Sequence, residues 1–173
     1  IVNDSNYVLL SDDRRVSANV ELRSSDGMGL KVYTNDENLD ALQDVTISLH
    51  QFQLHDILSV VPYMPNISGI LDGDYHLIQT KDELSVSSDM TIHRLIYENC
   101  PMGDIGTEFV YMPKHDGSHV VDGLLTQNGH EIALINGSYR SGGKGNIDAK
   151  ITLERTPLSL VNGFIPQQLI GFK

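Results

Sequence analysis

The sequence predicts a mainly β protein: an antiparallel meander of about ten strands forming a curved open sheet or a sandwich, with one or two short amphipathic helices. Three observations carry this. Period-two alternation of apolar and polar residues dominates the chain, as in Ile147-Asp-Ala149-Lys-Ile151-Thr-Leu153-Glu154. Turn-forming dipeptides stand between the alternating runs. Only two stretches abandon the alternation for a helical spacing. One-sided alternation belongs to antiparallel sheets with one wet face, whereas a buried parallel sheet would show continuous apolar runs.

In order, the strand candidates are Tyr7–Leu10, Arg15–Arg23, Gly29–Thr34, Val45–His50, Gly69–Gln79, Leu84–Ile92, Thr107–Pro113, His119–Gln127, Glu131–Tyr139 and Ile147–Glu154. Asn128-Gly129 between two apolar runs is the strongest short-range hairpin signal, because a type I′ turn needs positive φ twice. Asp116-Gly117 and Asp26-Gly27 are weaker versions. Ser141-Gly142-Gly143-Lys144-Gly145 reads as a flexible turn. It lacks the strand–loop–helix setting and the Lys-Ser/Thr ending of a phosphate-binding loop.

The two helical stretches resemble each other. In the first, Leu54, Ile57, Leu58 and Val61 follow i, i+3, i+4, i+7, one face of a short helix, before Tyr63-Met64-Pro65. In the second, Leu158, Val161 and Ile165 precede Pro166, with Thr156 placed to cap and Pro157 suited to the first helical position. Pro65 and Pro166 lie 101 residues apart, and Ile57/Leu158, Val60/Val161, Tyr63/Phe164 and Met64/Ile165 match at that offset. The spacing predicts an internal repeat. Residues 1–52 end a preceding β repeat, 53–155 form one helix-plus-meander repeat, and 156–173 begin the next. Repeats that stack bury faces one unit leaves open. With no initiator methionine or leader at Ile1, the chain reads as a segment of a longer protein.

Composition narrows the function. Of 173 residues, 40% are hydrophobic and 20% charged, which is outside the range of disordered tails. No apolar run approaches the ~18 residues of a spanning helix. Twelve Lys+Arg against 23 Asp+Glu give a net charge of −11, the wrong sign for nucleic acid. The charge is uneven: residues 56–113 hold two basic and nine acidic side chains, and residues 114–173 hold six and five. One cysteine, Cys100, excludes an internal disulfide framework.

Residues that could carry chemistry have plainer readings. His115 and His119 stand four apart, a metal-compatible spacing on a helix, but a glycine turn lies between them. Asp72-Gly73-Asp74 resembles part of a calcium loop without its third acid or bidentate Glu. Cys100 precedes Pro101 and reads as an inert thiol. There is no Gly-x-Ser-x-Gly elbow. The expectation is therefore a protein that is not an enzyme and needs no metal or cofactor. What remains is the apolar stripe, which another sheet, a helix or a ligand must cover. As an open groove it would take an acyl chain. As a closed β-sandwich it would suit a glycan-binding or adhesive surface domain, although Trp is absent and 7 Tyr and 4 Phe are scattered. A β-rich polysaccharide-cleaving enzyme is the third alternative.

The stretch Leu153-Glu154-Arg155-Thr156-Pro157-Leu158-Ser159-Leu160-Val161, with Phe164-Ile165-Pro166 and Leu169-Ile170-Gly171, resembles a repeat boundary of TamB-like proteins of the AsmA-like superfamily. The same layout recurs at Ile67-Ser68-Gly69-Ile70-Leu71-Asp72-Gly73. The likeness covers residues 54–173 best, and its motifs are loose spacings of Gly, Pro and Leu. It implies a periplasmic, inner-membrane-anchored protein of a Gram-negative envelope, folded like a taco around an apolar groove. Its implied role is moving phospholipid to the outer membrane or assisting protein assembly there. The partners would be phospholipid acyl chains and, through regions outside residues 1–173, an outer-membrane β-barrel. No catalytic residues carry over. The groove candidates are Leu84, Val86, Met90, Ile92, Ile132, Leu134, Ile147, Ala149, Ile151 and Leu153. Open strand edges would also invite edge-to-edge pairing of two copies.

Overall fold

A computed structural model of the chain describes residues 4–12, 15–35, 41–59, 61–140, 145–157 and 160. Ten strands follow one another: β1 (Tyr7–Leu10), β2 (Val16–Arg23), β3 (Gly29–Thr34), β4 (Gln43–Gln53), β5 (Ile67–Gln79), β6 (Leu84–Tyr97), β7 (Cys100–Pro113), β8 (Ser118–Gln127), β9 (His130–Arg140) and β10 (Asn146–Leu153). One helix with described bounds, α1 (Leu54–Leu58), interrupts them. All ten strands form a single sheet whose spatial order is the sequence order, and every neighbouring pair is antiparallel. Among the described residues β1 pairs only with β2 and β10 only with β9. The sheet is therefore open: of the two expected forms, the open sheet is found and the sandwich is not.

The Asn128-Gly129 turn behaves as its sequence predicts. Both residues have positive φ, 50° and 78°, and Gln127 opposes His130 across it. A second two-residue turn, Glu98-Asn99, was not among the expected ones. Its φ values are 46° and 65°, and it joins β6 to β7 with Tyr97 opposite Cys100. The two strands are thus longer than the alternation suggested. Their register slips near Arg94, which stands at φ 52°, so the period-two pattern is lost there.

The helix is shorter than its spacing predicts. It ends at Leu58, and the Ser59 N–H donates to the His55 carbonyl. Leu54 is buried, but Val61 lies beyond the helix and is 44% exposed. Ile57 falls within α1, while Leu158, Val161 and Ile165 lie outside the described residues. The N–H groups that Thr156 was placed to cap lie outside the described residues. The Thr156 hydroxyl donates to the Ile132 carbonyl, beside a bond from the Glu154 N–H to the same oxygen. The sheet is continuous past residue 53: β4 pairs with β5 across α1 from Gln43↔Gln79 to Gln53↔Ile70.

The most buried apolar cluster sits at one end of the sheet, where β6, β8 and β10 finish. Met102, Ile105, Ile132 and Leu160 form it, with Leu95, Tyr97 and Leu125 packed around. Ile132 reaches it because a bulge sets Glu131 and Ala133 opposite consecutive residues of β8, leaving Ile132 unpaired and turned into the cluster.

Candidate functional site: a continuous apolar sheet face

The register assigns every paired side chain to one of two faces, since directly opposed residues share a face and neighbours along a strand alternate. One face holds rows that cross most of the sheet. The central row runs Val20, Val32, Ile47, Tyr75, Ser88, Phe109, Gly123, Ile135, Ile151 from β2 to β10. A second runs Val45, Leu77, Val86, Tyr111, Val121, Gly137, Ala149 from β4 to β10. A third runs Leu22, Leu30, Leu49, Gly73, Met90, Thr107, Leu125, Ala133, Leu153. Leu71, Ile92 and Ile105 form a shorter fourth. At the paired positions of this face there is no Asp, Glu, Lys or Arg.

Nine of the ten groove candidates share it or its end cluster. Leu84, Val86, Met90 and Ile92 stand on β6, Ile147, Ala149, Ile151 and Leu153 on β10, and Ile132 in the end cluster. Leu134 does not. It opposes Leu124 and Thr152 and so faces the other way, because the bulge at Ile132 reverses the alternation that put both residues on one side. Burial along the face is uneven: Met90 is 7% exposed, whereas Ile147, Ile151 and Leu153 on the edge strand are 75%, 64% and 66% exposed.

The face has relief. Tyr75 and Phe109 meet edge to face at 6.3 Å across the small Ser88 between them. That leaves the Ser88 hydroxyl buried with no hydrogen-bond partner. At the opposite end from the core cluster, His119 stacks between Tyr111 and Tyr139, with its Nδ1 2.8 Å from the Tyr111 hydroxyl. Beside this stack Gly137 leaves a hollow of about 470 Å³, lined by Val121, Ile147 and Ala149.

The other face takes the charges. Asp74, Asp89 and Glu108 stand directly opposite one another on β5, β6 and β7, and Asp122 adds a fourth acid to a groove that Leu124 and Leu134 floor. Nearby, the His76 Nε2 lies 2.7 Å from the buried Asp44 carboxylate. A His–Asp ladder crosses β4 to β7. His50 pairs with Asp72 at 2.7 Å, His93 stands 3.8 Å from Asp72, and His93 reaches Asp104 at 3.3 Å. Asp72 also accepts the Gln51 N–H and Asp104 the Arg94 N–H, both at bulge residues with positive φ. That backbone N–H, and the His93 ring after it, hold the Asp104 carboxyl below the usual carboxylate value. The Ser118 hydroxyl and N–H do the same for Asp116. These carboxylates pin bulges and turns. No three His, Cys, Asp or Glu among the described residues converge as a metal site would require.

The structure therefore defines a class: an open antiparallel meander with one charged face and one continuous apolar face, which Leu160 touches at the end cluster and over which the described residues place no second sheet. Comparison with known proteins gives no match: no family model, no curated protein and no solved structure aligns significantly with the chain.

Proposed function

We propose that the chain shields lipid acyl chains along its apolar face, as a non-catalytic module of a TamB/AsmA-like envelope protein engaged in phospholipid transport or outer-membrane assembly. The observation that carries the reading is the apolar face itself, uncharged at every paired position from β1 to β10. Soluble proteins rarely leave apolar patches larger than a few hundred Å² uncovered unless something binds them. Each CH₂ removed from water contributes about 0.8 kcal/mol, so a chain of ~16 carbons gains on the order of 10 kcal/mol if covered throughout. With no charged anchor inside the face, a bound chain keeps nearly the same energy as it slides from strand to strand. Movement needs that flat profile. Nine interstrand spacings of about 4.8 Å give a path of roughly 43 Å.

The sandwich on which a glycan-binding reading rests is not formed among the described residues, and no observation favours that second reading. The test is native mass spectrometry of the chain purified gently from bacteria, followed by lipid extraction. We expect bound phospholipid, reduced severalfold by Ile151→Asp on the apolar face and unchanged by Lys150→Asp on the charged one. A lipid-free mass together with no uptake of added phospholipid vesicles refutes the proposal.

A further inference from the structure

The apolar face, over which the described residues place no second sheet, has a consequence for the lipid-free chain that does not depend on the lipid reading. We infer that, without a ligand, the chain covers its apolar face with the same face of a second copy, the two sheets packed face to face about a twofold axis. Area is the first argument. The face extends roughly 43 Å across the strands, and its rows cover about 20 Å along them, giving roughly 850 Å² per copy. A stable protein interface needs about 800 Å² from each partner. Charge is the second. The apolar face brings no charged residue against its mate, while the acids Asp74, Asp89, Glu108 and Asp122 lie on the opposite face, which remains in water. Two chains of net charge −11 can then approach with their like charges outermost.

Relief is the third argument. Ridges at Tyr75 and Phe109 and the hollow at Gly137 supply the interdigitation that packed sheets need, and an isologous interface presents each ridge and hollow twice. Pairing through sheet edges buries far less, because β1 offers four residues and β10 eight. It also leaves both apolar faces wet.

The experiment is light scattering and sedimentation of the full 173-residue chain, freed of lipid on a hydrophobic resin, across a concentration series. The expected result is a dimer. Tyr75 lies on β5 in the middle of the sheet and is 37% exposed, so Tyr75→Lys leaves an edge-paired dimer intact but disrupts a face-to-face one. The twofold axis buries two lysines, each costing at least tenfold, so the dimer dissociation constant rises about a hundredfold. Circular dichroism checks that the variant folds. If it does not, Ile135→Lys, at a position 38% exposed, takes its place. A monomer at all concentrations overturns the inference, as does a dimer indifferent to the face substitution. A dimer that weakens as expected yet takes up no phospholipid supports this inference while defeating the lipid reading.

Discussion

Gly73 stands where the middle of the sheet is held closest. It opposes Leu49 on β4 and Met90 on β6, at φ +146°. A Cβ there would lie 2.2 Å from the Asp89 carbonyl oxygen and 2.7 Å from the Met90 Cα. Both are backbone atoms of a paired strand, so neither can swing aside. Gly73→Ala must either distort φ, at a cost of about 1–3 kcal/mol, or push β6 away and weaken ladder hydrogen bonds worth about 1 kcal/mol each. The expected loss is about 3 kcal/mol. With a urea slope of about 2 kcal/mol per M, the denaturation midpoint falls by about 1.5 M. Gly137→Ala is the control. It lies on the same face, and nothing comes within 3.9 Å of its added Cβ. That variant should be neutral, or stabilise by about 0.5 kcal/mol through the unfolded chain. A Gly73→Ala midpoint within about 0.3 M of the parent would refute the assigned β5–β6 register.

Removing the orphaned hydroxyl with Ser88→Ala should leave stability unchanged or raise it by up to about 1 kcal/mol, since it abolishes a desolvated, unpaired polar atom. A loss greater than that in urea denaturation would mean the hydroxyl has a partner. Asp104 titrates below its ordinary value of 3.8 in the folded chain, so its contribution is complete above that value and is lost as pH falls through the lower, folded one. Asp104→Asn keeps an acceptor for the Arg94 N–H but not the charge. Its thermal midpoint should therefore fall less steeply than the parent's below pH 4, and parallel acid profiles would contradict the assignment.

The fold was legible because its signal is local and repeated. Strands such as β10 alternate without fault from Ile147 to Leu153, and Asn128-Gly129 states its turn outright. Legibility failed at bulges. Around Arg94 and Ile132 an extra residue shifts the alternation, so the segment from Arg94 to Gly106 did not read as strand and Leu134 read onto the wrong face. Glu98-Asn99 hides its turn as well, because it reaches positive φ without glycine. Part of its support is remote: the Glu98 side chain accepts the Asn66 N–H, while the Glu98 N–H donates to the Asn66 carbonyl. The apolar side of the candidate site followed from pattern alone. The His50–Asp72–His93–Asp104 ladder did not, since it joins residues from four strands and depends on two bulges that no sequence spacing announces.

Strand order that copies sequence order has a mechanical consequence. Among the described residues each strand is hydrogen-bonded only to the ones before and after it, so no long-range strand pairing locks the sheet into a single all-or-none unit. Tension applied through the two chain ends would peel strands one at a time from β1 or β10, each leaving a shorter but intact sheet behind. Force–extension traces should therefore show a ladder of small releases instead of one large rupture. Amide protection should rise from the edges toward β5, β6 and β7, the longest strands, which have neighbours on both sides. A molecule built this way is a zipper: it can lengthen or lose a strand without becoming a different fold.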